Sequence, residues 1–323
     1  MQTRKLGYTD LHLTTVGVGA WAIGGGGWKF SWGNQDDNDS VATLLRAVDM
    51  GVNWIDTAPV YGTGHSEEIV GVALKQLGAL GALGARPRPI VATKCGRSWN
   101  EKREPFASLD AAVIRKEIDD SLRRLDVEVI DLYQMHWPQP EEKIEEAWGA
   151  MAEGVKAGKL RYIGVCNYNV AQLKRIQPIH PVASLQPPYS MLVRGVEDEL
   201  LTYCAQNNIG VVAYSPMQKG ILTDKFTREW VTGLSKDDHR AVHDARFQEP
   251  ELSKNLKLVE GLKPIAQRNS RSVAQLSIAW VLRRPEVTSA IVGARKPAQI
   301  EETAGAGDWS LSQSDINSVN ALL

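Results

Sequence analysis

Cysteine is scarce: Cys95, Cys166 and Cys204 are the only three in 323 residues, and no Cys-x-x-Cys occurs. A scattered, odd-numbered set excludes a disulfide framework and fits a reducing, cytoplasmic compartment. Charge of one sign is also lacking. The 37 basic and 38 acidic side chains leave a formal charge of −1. That excludes the broad positive field expected of a nucleic-acid binder or of a protein held on anionic lipid. No uninterrupted apolar stretch approaches the ~20 residues that cross a bilayer. The opening Met1-Gln2-Thr3-Arg4-Lys5-Leu6-Gly7-Tyr8 is not the apolar core of a secretory leader. His-Glu-x-x-His and similar ligand spacings are missing, so no metal site is expected.

What the chain does have is alternation. Short apolar runs rich in β-branched residues cover 13–20, 52–58, 90–95, 129–137, 160–166, 183–186, 210–215 and 289–294. Most are continuously apolar, as parallel strands covered on both faces are. Helical stripes lie between them: Val41, Leu44, Leu45 and Val48, then Ile144, Ala147, Trp148, Met151 and Val155, then Val196, Leu200, Leu201 and Cys204. Gly51 and Gly158 stand where a helix gives way to the next strand. Eight strands with helices between them point to an α/β fold, a closed (β/α)8 barrel, with an open doubly wound sheet as its competitor. No composition break divides residues 1–323, which reads as one domain.

Three segments depart from the alternation. Residues 21–38, rich in Gly, Trp and Asn, read as a loop after the first strand. Residues 77–89, a Gly/Ala/Leu tract, read as a frayed helix end and connector. Residues 217–252 form a loop after the seventh strand, long enough to be functional or mobile. Helices are expected over 255–268 and 272–283, and a C-terminal one over 312–323 capped by Ser312.

Barrel enzymes carry their reactive groups at the C-terminal ends of strands. Those positions hold Asp56 and Tyr61 after the second run, Lys94 in the third and His136 in the fourth. Each has a bland alternative: a capping aspartate, a half-buried aromatic, a surface lysine, a structural histidine. Together they put an anion and a cation where each can satisfy the other. A lysine ammonium beside a phenol favours the phenolate and is expected to lower the phenol's pKa from its usual value of about 10. Asp56 would hold Lys94 charged, and a neutral His136 would orient a carbonyl oxygen. The set contains no electron source, so hydride must come from an organic cofactor. Gly17-Val18-Gly19 followed by Gly24 imitates a dinucleotide fingerprint, but the spacing fails at Ala22 and no helix follows.

Asp56-Thr57-Ala58-Pro59-Val60-Tyr61-Gly62, Thr93-Lys94-Cys95-Gly96 and Ile130-Asp131-Leu132-Tyr133-Gln134-Met135-His136-Trp137-Pro138 resemble successive signatures of the aldo-keto reductases. Gly164-Val165-Cys166-Asn167-Tyr168, Ala213-Tyr214-Ser215-Pro216-Met217 and Ile291-Val292-Gly293-Ala294-Arg295-Lys296-Pro297 continue the resemblance over nearly the whole chain, in the family's order. Gln186-Pro187-Pro188-Tyr189 is most similar to the bacterial general-stress and inositol-operon-like branch. The resemblance implies a TIM barrel with a short N-terminal hairpin, a long loop after strand 7 and a C-terminal helix. It also implies reversible NADP-dependent reduction of an aldehyde or ketone, with Asp56, Tyr61, Lys94 and His136 as catalytic tetrad and Tyr61 as general acid.

Trp21, in the aromatic loop after the first strand, and Trp137, after the fourth, are expected to wall an apolar substrate pocket with Tyr61 and His136. The resemblance assigns the cofactor site, with Trp21 and Asp56 against it. Asn167 and Gln186 are expected to bond the nicotinamide carboxamide, Cys166 standing where the family has serine. Tyr214 would stack on the nicotinamide ring. Ser215, Pro216, Met217, Gln218, Lys219, Gly220 and Leu222 would wrap the pyrophosphate. Gly293, Ala294 and Arg295 would take the adenosine 2′-phosphate, and Gln299 and Glu302 the adenine. Independently of family, adjacent Arg295 and Lys296 suit a phosphate monoester, and on that ground NADPH is expected over NADH. A rival function on the same fold is a slow nucleotide-sensing regulator like the potassium-channel β subunits, against which the complete tetrad argues. The natural substrate and the oligomeric state stay open.

Overall fold

The computed structural model of the protein describes residues 1–81, 88–235 and 238–323. An N-terminal hairpin, β1 (Thr3–Lys5) and β2 (His12–Thr14), precedes β3 (Val16–Gly19), β4 (Trp54–Asp56) and β5 (Ile90–Cys95). A second hairpin, β6 (Arg97–Trp99) and β7 (Pro105–Ala107), precedes β8 (Ile130–Met135), β9 (Leu160–Cys166), β10 (Ser184–Gln186), β11 (Gly210–Tyr214) and β12 (Val287–Gly293). The strands β3-β4-β5-β8-β9-β10-β11-β12 close on themselves as a parallel barrel, which excludes the open sheet.

Helices wrap the outside: α1 (Asp37–Asp49), α2 (His65–Gly81), α3 (Ala111–Leu125), α4 (Ile144–Lys156), α5 (Val170–Ile176) and α6 (Leu200–Gln206). Two short ones, α7 (Arg228–Thr232) and α8 (His239–His243), lie within the long segment after β11. Then follow α9 (Glu251–Arg268), α10 (Val273–Leu282), α11 (Pro297–Ala304) and α12 (Gln313–Asn320). Ser272 and Ser312 cap α10 and α12 by accepting the N–H of Gln275 and Asp315. Among the described residues, no helix is long and apolar enough to cross a membrane.

Two apolar layers build the core. The outer one packs strand and helix side chains together, with Leu44, Ile118, Trp148, Leu173 and Trp280 among its buried members. The inner one fills the barrel: Trp54, Ala92, Leu132, Val212 and Ile291 meet Leu6, Leu11 and Leu13 of the N-terminal hairpin. Trp54 donates its indole N–H to Thr14 O and Ser289 Oγ at 3.2 and 3.0 Å. Its ring leaves room only for glycine at position 17, where a Cβ would come within 2.0 Å of the indole.

The structure departs from the sequence expectations at boundaries. The run 13–20 divides, because Leu13 belongs to β2 and packs into the barrel floor. Residues 97–107, outside the eight apolar runs, fold as a hairpin. Helix α9 begins at Glu251, earlier than the apolar periodicity indicated. Of the expected connector, residues 82–87 lie outside the described residues.

Candidate active site

Above the apolar filling, the barrel interior turns polar. Lys94 on β5 is 0% exposed and Asp56 on β4 is 3% exposed, and an ion so buried needs partners. Lys94 Nζ donates to Asp56 Oδ2 at 2.6 Å and to Thr57 O at 2.9 Å. The other carboxylate oxygen accepts from Gln186 Nε2 at 2.8 Å and from Gln134 Nε2 at 3.4 Å. Ser184 Oγ in turn donates to Gln134 Oε1 at 3.3 Å. Gly164 of β9 borders this layer, and a Cβ there would meet Ser184 Oγ at 2.1 Å. A continuous ring of hydrogen bonds thus fixes the ion pair.

Tyr61, in the turn after β4, lies against this layer, with Lys94 Nζ 5.0 Å from its ring centroid. The ring of His136 is 5.8 Å away, edge to face. Burial pushes the Tyr61 phenol up, and the Lys94 ammonium pulls it back only in part. The net shift is therefore upward, which corrects the expectation of a lowered pKa: desolvation of a phenolate outweighs one nearby cation that Asp56 already engages. Tyr61 carries its proton throughout the neutral range. Burial alone would drive the Lys94 ammonium down, but Asp56 and Tyr61 reverse that and keep it charged.

His136 is held well below the ordinary histidine value of 6.5 by burial, then by the charges of Lys94 and Arg97. Its Nδ1 is buried with no hydrogen-bond partner. The imidazole is therefore neutral, as expected. Below pH 6.5 the unfolded chain takes up a proton at this residue that the folded chain refuses, so stability is complete above that pH and declines as pH falls. Thermal unfolding from pH 8 to 5 should show this as a falling midpoint, with a shallower slope in His136→Gln. Equal slopes in the two proteins would refute the assignment.

The residues expected at a cofactor form a rim beside the ion pair, from β9 round to β12. Asn167, with φ +62°, follows β9; its Nδ2 donates to His136 O and its Oδ1 accepts from Tyr214 OH, both at 3.0 Å. Asn167 and Gln186 thus stand at the rim with their amides already bonded to protein. Cys166 is buried, and burial raises its thiol pKa despite Lys94. Ser215, Gln218, Lys219 and Gly220 all have positive φ. The tight turn they form is closed on itself: the N–H groups of Gln218 and Gly220 donate to Ser215 O and Met217 O at 2.9 and 3.1 Å. Pro216 and Leu222 are buried, whereas Met217 is partly open. Lys219 Nζ and Arg246 Nε grip Asp244 at 2.9 and 2.8 Å, and Asp244 is held at about 2 in spite of its burial.

Gly293, the last residue of β12, is exposed; beyond it Ala294 is buried and Arg295 half-buried. Arg295 Nε donates to Gln35 Oε1 at 2.6 Å, Nη1 to Trp32 O at 3.3 Å and Nη2 to Asn34 O. Gln299 Oε1 accepts the N–H groups of Arg295 and Lys296 at 2.7 and 3.2 Å. Glu302 lies farther along α11, half-buried. These residues cluster at one corner, joined to the 21–38 loop.

That loop walls the pocket. Trp21 is 4.9 Å and Trp28 6.3 Å from the Tyr61 ring, with Phe30 packed on both tryptophans. Trp32 turns away to stack under Arg240 at 4.5 Å. Trp137, 37% exposed, stands next to His136 at the mouth. The sequence reading missed Gln134. Its signal was a polar residue in an apolar strand, on the same face as His136 two positions on. Among the described residues, no cluster of three His, Cys, Asp or Glu could hold a metal.

A buried ammonium–carboxylate pair under a phenol, beside a neutral imidazole, can orient a carbonyl and hand it a proton. Known proteins agree in family. The profile of the Aldo/keto reductase family matches residues 15–323. Aldo-keto reductase YhdN of Bacillus subtilis (strain 168) is 37% identical, over 100% of this chain and 94% of that protein. The NADH-specific methylglyoxal reductase of Escherichia coli (strain K12) is 34% identical, over 98% and 96%. The solved structure of glycerol dehydrogenase AKR11B4 from Gluconobacter oxydans superposes with a TM-score of 0.88 at 38% identity, covering 100% of this chain and 95% of that one. With barrel, ion pair and full-length likeness in agreement, the chain belongs to the aldo/keto reductase family of oxidoreductases.

Proposed function

We propose that this oxidoreductase reversibly reduces an aldehyde or ketone with NADPH, using Tyr61 as proton donor. The observation that carries the reading is the buried Lys94–Asp56 pair at 2.6 Å directly beneath the Tyr61 ring. A bound nicotinamide cofactor supplies the hydride. The protein's own groups do the rest. His136, neutral and with its other nitrogen unpartnered, donates to the carbonyl oxygen and aims it at the Tyr61 hydroxyl. As negative charge develops on that oxygen, Tyr61 releases its proton to it. Lys94, held charged by Asp56, stabilises the phenolate left behind. Trp21 and Trp28 keep bulk water from the phenol.

The cofactor residues proposed are Asn167 and Gln186 for the carboxamide, Tyr214 for the ring and 215–222 for the pyrophosphate. Arg295 is proposed for the 2′-phosphate, with Gln299 and Glu302 near the adenine. Lys219 and Arg246, two cations that share the single carboxylate of Asp244, support the pyrophosphate assignment. Preference for NADPH rests on Arg295 and the exposed Lys296 at the start of α11. The Escherichia coli relative is named as NADH-specific, and comparison of the two cofactors tests the preference directly. Arg295→Ala should raise the KM for NADPH about 10- to 100-fold, the worth of lost charge-assisted hydrogen bonds, and change that for NADH far less. Equal changes for the two cofactors would remove Arg295 from the role. The three free, buried cysteines support a reducing, cytoplasmic location. A panel of carbonyls and alcohols followed at the nicotinamide absorbance, with both cofactors, tests the whole reading.

A further inference from the structure

Beside the His136–Trp137 segment stands a positive charge that no carboxylate among the described residues pairs with. Lys94 is matched by Asp56. Arg97, first residue of β6, is half-buried, and no carboxylate among the described residues lies within the 4.0 Å of an ion pair. Its guanidinium donates through Nη2 to Gln139 Oε1 at 2.7 Å, a neutral acceptor, and stands 5.8 Å from the Trp137 ring centroid. Strand register sets this position. Cys95 pairs with Met135, and one rung up His136 N–H donates to Cys95 O at 3.0 Å. Gly96, with φ +83°, then turns the chain so that Arg97 comes beside Trp137. The cation is near enough to His136 to help keep that ring neutral.

We infer that Arg97 is a substrate-binding residue that selects carbonyl compounds carrying a carboxylate a few bonds from the reacting carbonyl. This rests on the carbonyl-reductase reading above. The planar fork of an arginine receives a carboxylate through two parallel N–H donors, and partial burial limits screening of the pair. Trp137 holds the guanidinium in place without consuming its donors. With its carboxylate on Arg97 and its carbonyl oxygen at Tyr61 and His136, the substrate is fixed at two points, the orientation that hydride transfer needs. A phosphate monoester offers similar oxygens, so the two anions must be separated by experiment.

The test measures kcat/KM with NADPH for two pairs, 4-oxobutanoate against butanal and glyceraldehyde 3-phosphate against glyceraldehyde. The proteins are wild type, Arg97→Gln and Arg97→Lys. The wild type should favour 4-oxobutanoate over butanal about 10- to 100-fold, Arg97→Gln should bring that ratio toward one, and Arg97→Lys should fall between. Should the glutamine variant not fold, the lysine variant still reads the loss of the fork. Equal rates on 4-oxobutanoate and butanal, or a ratio that survives in Arg97→Gln, would overturn the role of Arg97 alone. A preference confined to the phosphate pair would overturn the carboxylate assignment. Failure to reduce any of the four aldehydes would instead sink carbonyl reduction itself, and the role of Arg97 with it.

Discussion

Tyr61→Phe is expected to lower kcat for carbonyl reduction by about 10²- to 10⁴-fold, the usual worth of a positioned general acid. The substitution removes a single oxygen. The ring keeps its contacts with Trp21 at 4.9 Å, Trp28 at 6.3 Å and His136 at 5.8 Å, so the pocket should hold its shape. NADPH affinity, read by quenching of tryptophan fluorescence, should stay within about twofold, because the proton transfer is made only in the transition state. Because burial keeps the phenol protonated, Tyr61 should impose no acid limb or base limb on reduction between pH 6 and 9. Retention of more than a tenth of wild-type kcat would take Tyr61 out of the mechanism.

The barrel was legible in the sequence because its two signals are local. A parallel strand covered on both faces must be a continuous apolar run, and 160–166 coincides with β9 residue for residue. The covering helices must carry a stripe, and Leu44 and Val48 do face inward from α1. Boundaries were harder, since Leu13 is apolar whether it lines a barrel strand or plugs the floor from a hairpin. The four residues of the candidate site were legible for a similar reason: strand ends in a barrel are neighbours whatever their sequence separation.

What sequence did not disclose depends on distant contacts. The direction of the Tyr61 shift is a contest between burial and Lys94, and the depth of burial is set by Trp21 and Trp28 folding back from another loop. Arg295 reads as a free phosphate-binding cation, yet its donors reach Trp32, Asn34 and Gln35 about 260 positions earlier. Arg97 carries no signal of its own in the sequence. Only the pairing of β5 with β8 brings it to Trp137 and His136.

The buried ion pair should produce the largest loss of stability, and the two halves should not be equal. Breaking such a pair from one side typically costs about 3–5 kcal/mol, because the surviving charge is left without its partner in a low dielectric. In Lys94→Met the surviving carboxylate still accepts from Gln186 Nε2 at 2.8 Å and Gln134 Nε2 at 3.4 Å. In Asp56→Asn the surviving ammonium keeps only the Thr57 carbonyl at 2.9 Å and whatever the new amide oxygen offers. Asp56→Asn should therefore be the more damaging single change, and burial should then push the Lys94 ammonium down so that it loses its proton more readily. The double variant Asp56→Asn/Lys94→Met removes both charges and should unfold at higher denaturant than Asp56→Asn alone, a non-additivity that urea titration of all four proteins would measure. Catalysis does not share that recovery, since without Lys94 nothing stabilises the Tyr61 phenolate. A double variant whose destabilisation is the plain sum of the singles would mean that the two side chains do not act as a pair.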